Sequence, residues 1–145
     1  MQALPHFYHV RVNGTPESNL ISTSQGVPDL VVAGPAAFDG PGDQWSPETL
    51  LLSAVANCFV LTFKAIANAS KFPWKAIECE STGKLDKSDR EMKFTEITTK
   101  VRLFIDDPAV EDKALKLLYK VEPNCLVSNS LNVAVKLQGK IIIEA

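Results

Sequence analysis

A chain of 145 residues, 46% of them hydrophobic, can bury one ordinary core but not two, and is expected to form a single domain over residues 1–145. Its 15 Lys and Arg are scattered among 17 Asp and Glu for a net charge of −2, with no basic block that would bind nucleic acid. The three cysteines are odd in number and widely spaced, with no CxxC or Cys/His cluster, which argues against a secreted disulfide framework and against a metal site of ordinary ligand spacing. The opening "MQALPHFYHV" lacks the cationic start and apolar centre of an export signal, so the expected compartment is the cytosol.

The chain begins with three short β-rich runs, "FYHVRVNG" (Phe7 to Gly14), "NLISTS" (Asn19 to Ser24) and "DLVVAG" (Asp29 to Gly34). Gly, Pro and Asn separate them, which predicts a meander of strands. "PAAFDGPGDQ", Pro35 to Gln44, holds too much Pro and Gly for either periodic structure and is expected to be a loop. At Ser46 the pattern changes. Ser46 is placed as N-cap, Pro47 at the first helical position and Glu48 in the first turn, where the helix dipole favours negative charge. The helix they open is apolar on nearly every side and is expected to end near Ser70. Its unbroken run from Thr49 to Phe63 is shorter than the about 20 apolar residues of a membrane span and contains Ser53, Asn57 and Thr62, so it reads as a buried helix of a soluble protein. Two longer strands follow, Ala76 to Leu85 and Lys93 to Ile105, with "DKSDRE" between them. "PAVEDKALKLLYKVE", Pro108 to Glu122, has Val110, Ala114, Leu117, Leu118 and Val121 at helical spacing and so packs one face. A last strand, Asn132 to Ile143, closes the chain. Runs of strands interrupted by two helices, without a βαβ rhythm, predict an α+β fold: a largely antiparallel sheet with two main helices, one of them central and buried.

Two thiols carry the interest. Cys58 lies on the apolar helix, where a small hydrophobe filling the core and a reactive thiol are both open readings. Cys125 follows Pro123 and Asn124. Asn124 is read as the cap of a short new turn beginning at Cys125, whose free backbone N–H groups would favour a thiolate. Cys79, in "IECES", is read as a packed or half-exposed strand residue. His6 and His9 alternate to opposite faces of an extended segment and cannot chelate together, while Phe38 and Trp45 are expected to staple the loop or line an interface.

"SPETLLLSAVANCF", ending just past Cys58, and "CLVSNSL", starting at Cys125, together resemble the OsmC/Ohr family, the osmotically induced protein C and organic hydroperoxide resistance proteins. In that family a Pro-Glu near a helix start precedes a Cys-Phe on the buried helix, and a second Cys comes late in a Ser-Asn-containing run. The resemblance covers the whole length in element order. It implies an OsmC-like fold, an intertwined homodimer whose sheets enclose a pair of central helices, and a thiol peroxidase for organic hydroperoxides. By the same resemblance Cys58 matches the peroxidatic cysteine, Cys125 the resolving cysteine and Glu48 the active-site carboxylate. Such chemistry runs through a sulfenic acid and a disulfide, requires no cofactor or metal, and implies an external dithiol as reductant, in the Ohr branch a lipoylated protein. Apolar neighbours of Cys58 such as Val55, Phe59 and Leu61 would favour a peroxide with an apolar tail.

The sequence departs from the family pattern in two places. The family holds an arginine in its N-terminal region, whereas "NGTPESN" has none, "PAAFDG" has Ala37 and Phe38 in the other family position, and the N-terminal half carries only Arg11, read as a solvated strand residue. Leu126 stands where a proline is common. The expected support for a Cys58 thiolate is therefore the backbone donors of the Asn124 turn. Ten residues of helix would separate Glu48 from Cys58 by about 15 Å. Either the helix is broken, or Glu48 serves the other subunit, or it only stabilises the helix start. A homodimer is expected on physical grounds too, because a helix apolar all round cannot be wrapped by the short strands of one small chain. The alternative function is a non-catalytic protein of the same fold that holds a small apolar ligand in the dimer cleft.

Overall fold

The computed structural model describes residues 1–144, and its internal contacts divide the chain into two compact units, Met1–Leu50 and Leu51 onward. The first unit holds the expected meander, β1 (Arg11–Asn13), β2 (Leu20–Thr23) and β3 (Leu30–Val32), in antiparallel order β1-β2-β3. The strands are shorter than their β-rich runs. Phe7 to Val10 lies outside any strand because β2 runs out at Thr23, the partner of Arg11, and beyond it only the Ser24 hydroxyl donates to the His9 carbonyl, at 2.8 Å. Phe7 and Tyr8 are left exposed, and neither histidine sits in a strand; the His6 ring lies 3.0 Å from the Gln2 carbonyl oxygen. The Pro35 to Gln44 loop contains one short 3-10 turn, Ala36–Phe38. It closes so tightly that a Cβ at Gly40 would overlap the Gly34 carbonyl. The loop returns the chain to β3, where the Ala33 N–H donates to the Trp45 carbonyl at 2.9 Å; the indole of Trp45, like the ring of Phe38, stays half-exposed.

Helix α1 runs unbroken from Pro47 to Ala69. Its start is a reciprocal cap: the Thr49 N–H donates to Ser46 Oγ at 3.2 Å and the Ser46 N–H to Thr49 Oγ1 at 3.0 Å, so two otherwise unpaired donors are satisfied. It ends one residue before Ser70, with Lys71 at φ 53° and the Phe72 N–H returning to the Ala67 carbonyl at 2.9 Å, a left-handed stop. Within one chain its burial is one-sided, as expected of a helix that the strands of one small chain cannot wrap. The chain covers one stripe, Val55, Phe59, Phe63 and Ala67 at intervals of one turn, and Leu61 on the opposite side remains 63% exposed. By length and composition alone this helix also meets the requirement for a membrane span.

The second unit is built on a mixed sheet in the order β4-β5-β6, with β4 Ala76–Ser88, β5 Glu91–Ile105 and β6 Val135–Ile143. β4 and β5 form an antiparallel hairpin turned at Asp89 and Arg90, both at positive φ (50° and 71°), the combination that matches strand twist. β6 pairs with β5 in parallel, Ile97 with Val135 through Ile105 with Ile143. That parallel pair corrects the expected absence of a βαβ unit. Helix α2, Glu111–Val121, is the crossover, flanked by 3-10 turns at Pro108–Val110 and Glu122–Asn124, so the run read as one helix is tightened at both ends. Its apolar face lies on β6, where a Cβ at Gly139 would come within 3.1 Å of Leu118 Cδ1. Between helices and sheet sits one apolar cluster that includes Phe59, Phe63, Val101, Leu103, Leu118, Val121 and Cys125, with Phe63 fully buried and edge-on to Trp74 at 5.2 Å between ring centres. Burying such a ring contributes about 3 kcal/mol relative to leaving it in water.

Candidate active site

Cys58 sits on α1 beside Phe59, half-buried against the apolar cluster, and Thr62 one turn on donates its hydroxyl to the Cys58 carbonyl at 2.7 Å. Cys125 is buried within the same cluster, where the chain leaves α2 through the Glu122–Asn124 turn and enters the single turn α3, Leu126–Asn129. The two cysteines named from the sequence therefore meet in one core. Glu48 lies in the first turn of α1, and its Oε1 is buried with no hydrogen-bond partner among the described residues. A buried carboxylate oxygen without a donor is costly. The continuity of α1 removes the broken-helix explanation for the Glu48 to Cys58 spacing.

The cap reading at Asn124 is corrected. Its carboxamide Nδ2 donates backwards to the Lys120 carbonyl at 3.0 Å, closing the end of α2, and Cys125 itself takes the N-cap position of α3 without a side-chain cap. An amide carries two donors as well as an acceptor, and here the unpaired carbonyl of the preceding helix claims a donor. Cys125 Sγ donates to the Val121 carbonyl at 3.5 Å. The thiolate expected from a helix start is corrected with it: burial first, then the negative charge of Cys58, push the Cys125 thiol up from 9.0 to about 11, the Thr62 hydroxyl opposing and Glu122 adding to the rise. A helix of one turn has too little dipole to reverse desolvation. The expected result is that alkylation of Cys125 by iodoacetamide, followed by peptide mass spectrometry, rises about tenfold per pH unit from neutrality and bends over only near pH 11, where a free thiol bends near 8.5. A plateau below pH 8 would contradict the burial account.

The third thiol is the packed, half-exposed strand residue expected from the sequence. Cys79 on β4 is half-buried and packs on the same cluster, and burial first, then Cys125, then Glu80, raise it to about 11. The signal was available in the flanking charges. Glu78 and Glu80 on either side must face water, so strand alternation turns Cys79 to the core. Lys113 meets the cluster at Phe72, its ammonium 6.0 Å from the ring centre, and the other cations named for the site lie elsewhere. Arg102 points outward, 2.8 Å from Glu78 and over the Phe104 ring, Arg90 is in the hairpin turn, Lys64 is exposed on α1, and Arg11 is exposed on β1. A broad concavity of about 720 Å³ lies on that outer sheet surface, among Glu78, Glu80, Lys100, Arg102 and Lys140, across the strands from the thiol side chains.

Residues 40–139 match the family model described as OsmC-like protein. The chain belongs to the OsmC-like family. Among its relatives is the uncharacterized protein YmaD of Bacillus subtilis, 26% identical over 144 residues, with 92% of this chain and 91% of that protein covered. Its OsmC-like fold is shared with the organic hydroperoxide resistance protein OsmC from Legionella pneumophila (TM-score 0.78, 23% identity, 96% of this chain and 99% of that one). It is shared also with an OsmC-like protein of unknown function from Vibrio cholerae (0.83, 17%, 95% and 100%). The organic hydroperoxide resistance protein OhrB of Bacillus subtilis is 26% identical at a TM-score of 0.69, over 93% of this chain and 98% of that one. An α+β OsmC-like architecture, expected from the sequence, is thereby borne out.

Proposed function

We propose that this chain works as one OsmC-like domain in a cytoplasmic homodimer, a thiol-dependent peroxidase that reduces organic hydroperoxides to alcohols. The observation that carries the reading is the meeting of Cys58 and Cys125 in one apolar cluster, close enough that the charge of one sulfur is felt by the other. The names of the Legionella and Bacillus structural relatives agree with it. In this scheme the Cys58 thiolate attacks one peroxide oxygen, the O–O bond breaks and the alcohol leaves with a proton, giving Cys58 sulfenic acid. Burial first, and the charge of an ionised Cys58 second, hold Cys125 protonated. Oxidation to the neutral sulfenic acid removes the second of these, so Cys125 ionises more readily than before, attacks Cys58 Sγ, and the sulfenic hydroxyl leaves as water with the proton Cys125 gave up as the disulfide forms. An external dithiol, a lipoylated protein among the candidates, returns both thiols by exchange.

Glu48 belongs to this scheme as a residue of the partner copy's site, its unpaired Oε1 awaiting a donor from outside the chain. The exposed side of α1 is where the second copy is seated. No Lys or Arg is among the groups that shift the Cys79 or Cys125 thiol, which favours a second reading, an OsmC-fold protein that binds a small apolar ligand in the dimer cleft without fast chemistry. One equivalent of cumene hydroperoxide added to the reduced protein decides between them. The peroxidase reading expects two thiols lost per chain and a Cys58–Cys125 disulfide. Slow loss, equal for cumene hydroperoxide and hydrogen peroxide, would favour the ligand-binding protein.

A further inference from the structure

We propose that Cys79 is a third redox thiol, which takes the disulfide from Cys58 by exchange at Cys125; the proposal rests on the peroxidase reading for the origin of that disulfide. The placement comes from the sheet. Along β4 the half-buried Ile77, Cys79 and Ser81 alternate with exposed Glu78 and Glu80, and Cys79 is in register with Val101 of β5, which is 1% exposed and shares the apolar cluster with Cys125. The next pair on that face, Ser81 and Thr99, is locked by a hydroxyl contact of 2.9 Å, which holds the strand face toward the cluster. Cys58 borders the cluster from α1 and Cys79 borders it from the sheet, both half-buried, while Cys125 is buried inside it. Cys125 is therefore the shared neighbour, its charge felt at Cys79 as that of Cys58 is felt at Cys125. Attack on a disulfide sulfur comes from the side opposite the departing sulfur, and a middle position for Cys125 suits that.

The step conserves electrons. The Cys79 thiolate attacks Cys125 Sγ, an S–S bond forms between them, the Cys58–Cys125 bond breaks and its electron pair leaves on Cys58, which takes up the proton that Cys79 gave up. Nothing is oxidised overall; the oxidising equivalent moves from α1 to the sheet, and Cys58 is free to meet a second peroxide before an external dithiol arrives. Because the exchange consumes the Cys58–Cys125 disulfide, it follows the formation of that bond.

The test has two arms. In the first, Cys58→Ser in its native state is oxidised with diamide, alkylated and mapped by peptide mass spectrometry; a Cys79–Cys125 disulfide is expected. In the second, the wild-type chain receives cumene hydroperoxide without reductant. Cys58–Cys125 is expected first, Cys79–Cys125 later, with Cys58 recovered and then trapped by dimedone as a second equivalent is consumed, whereas Cys79→Ser stops at one. A wild type inert to peroxide whose Cys58→Ser variant still forms the Cys79–Cys125 bond would sink the peroxidase reading and leave the thiol pair standing. A Cys79 that stays alkylatable in both arms would overturn the pair whatever the peroxide does.

Discussion

Cys58→Ser is expected to lower the consumption of cumene hydroperoxide by at least about a hundredfold, the scale of loss when a sole nucleophile is removed. A hydroxyl in the same half-buried place keeps the volume and the Thr62 contact to the backbone carbonyl but is almost never ionised near neutrality, and an un-ionised oxygen does not attack peroxide. Cys125→Ser separates the two roles. It is expected to spend the first equivalent of peroxide and then stop, with Cys58 trapped as sulfenic acid by dimedone and driven to the sulfinic acid by excess peroxide, because the thiol that would condense with it is gone. Peroxide consumption under single-turnover conditions, read with intact-mass spectra of each product, checks both. A Cys58→Ser chain as active as wild type would place the chemistry elsewhere and end the peroxidase scheme. If Cys125→Ser instead formed a disulfide through Cys79, the resolving role would pass to the strand thiol.

The features legible in the sequence were those set by neighbours along the chain. Ser46 and Pro47 mark the start of α1 within one turn, Thr49 completing the cap, and the "DKSDRE" run marks the β4–β5 turn, where Asp89 tolerates positive φ. What eluded the sequence was set at a distance. β6 lies parallel to β5 because α2 carries the chain back across the sheet, and no local pattern in "VKLQGKIII" distinguishes that pairing from a hairpin return. Asn124 has donors for the helix before it and an acceptor for the turn after it, and only the position of the Lys120 carbonyl decides between them. For the site, Cys58 and Cys125 were found by motif, and their depth was not: burial overrides the backbone field that the Pro-Asn-Cys order promises. Cys79 was read as a packed strand residue, and only its sharing of one core with Cys125 was not legible, because that is set by contacts distant along the chain.

The second large effect concerns the bare side of α1. Leu61 lies about 180° around the helix from the middle of the stripe made by Val55, Phe59, Phe63 and Ala67, and is 63% exposed, with Ala54 and Ala65 open on the same side. Three apolar residues on the uncovered side of a 23-residue helix leave water only if something covers them. The polar members of that side, Asn57, Lys64 and Asn68, do not suit hydrocarbon, whereas a second copy of the same helix offers both small residues for close approach and donors for the amides. Leu61→Glu would bury two carboxylates facing each other across such a seam, at several kcal/mol, so the dissociation constant is expected to rise by more than about a hundredfold. Sedimentation velocity at micromolar concentration checks it. The wild type is expected at twice the 15.8 kDa chain mass and Leu61→Glu at the chain mass or in aggregates, with Leu61→Met as a volume-matched control that keeps the dimer. A folded wild-type monomer at that concentration would end the dimer, and a Leu61→Glu chain that stays dimeric would move the second copy to another face; either result would remove Glu48 from its partner's site.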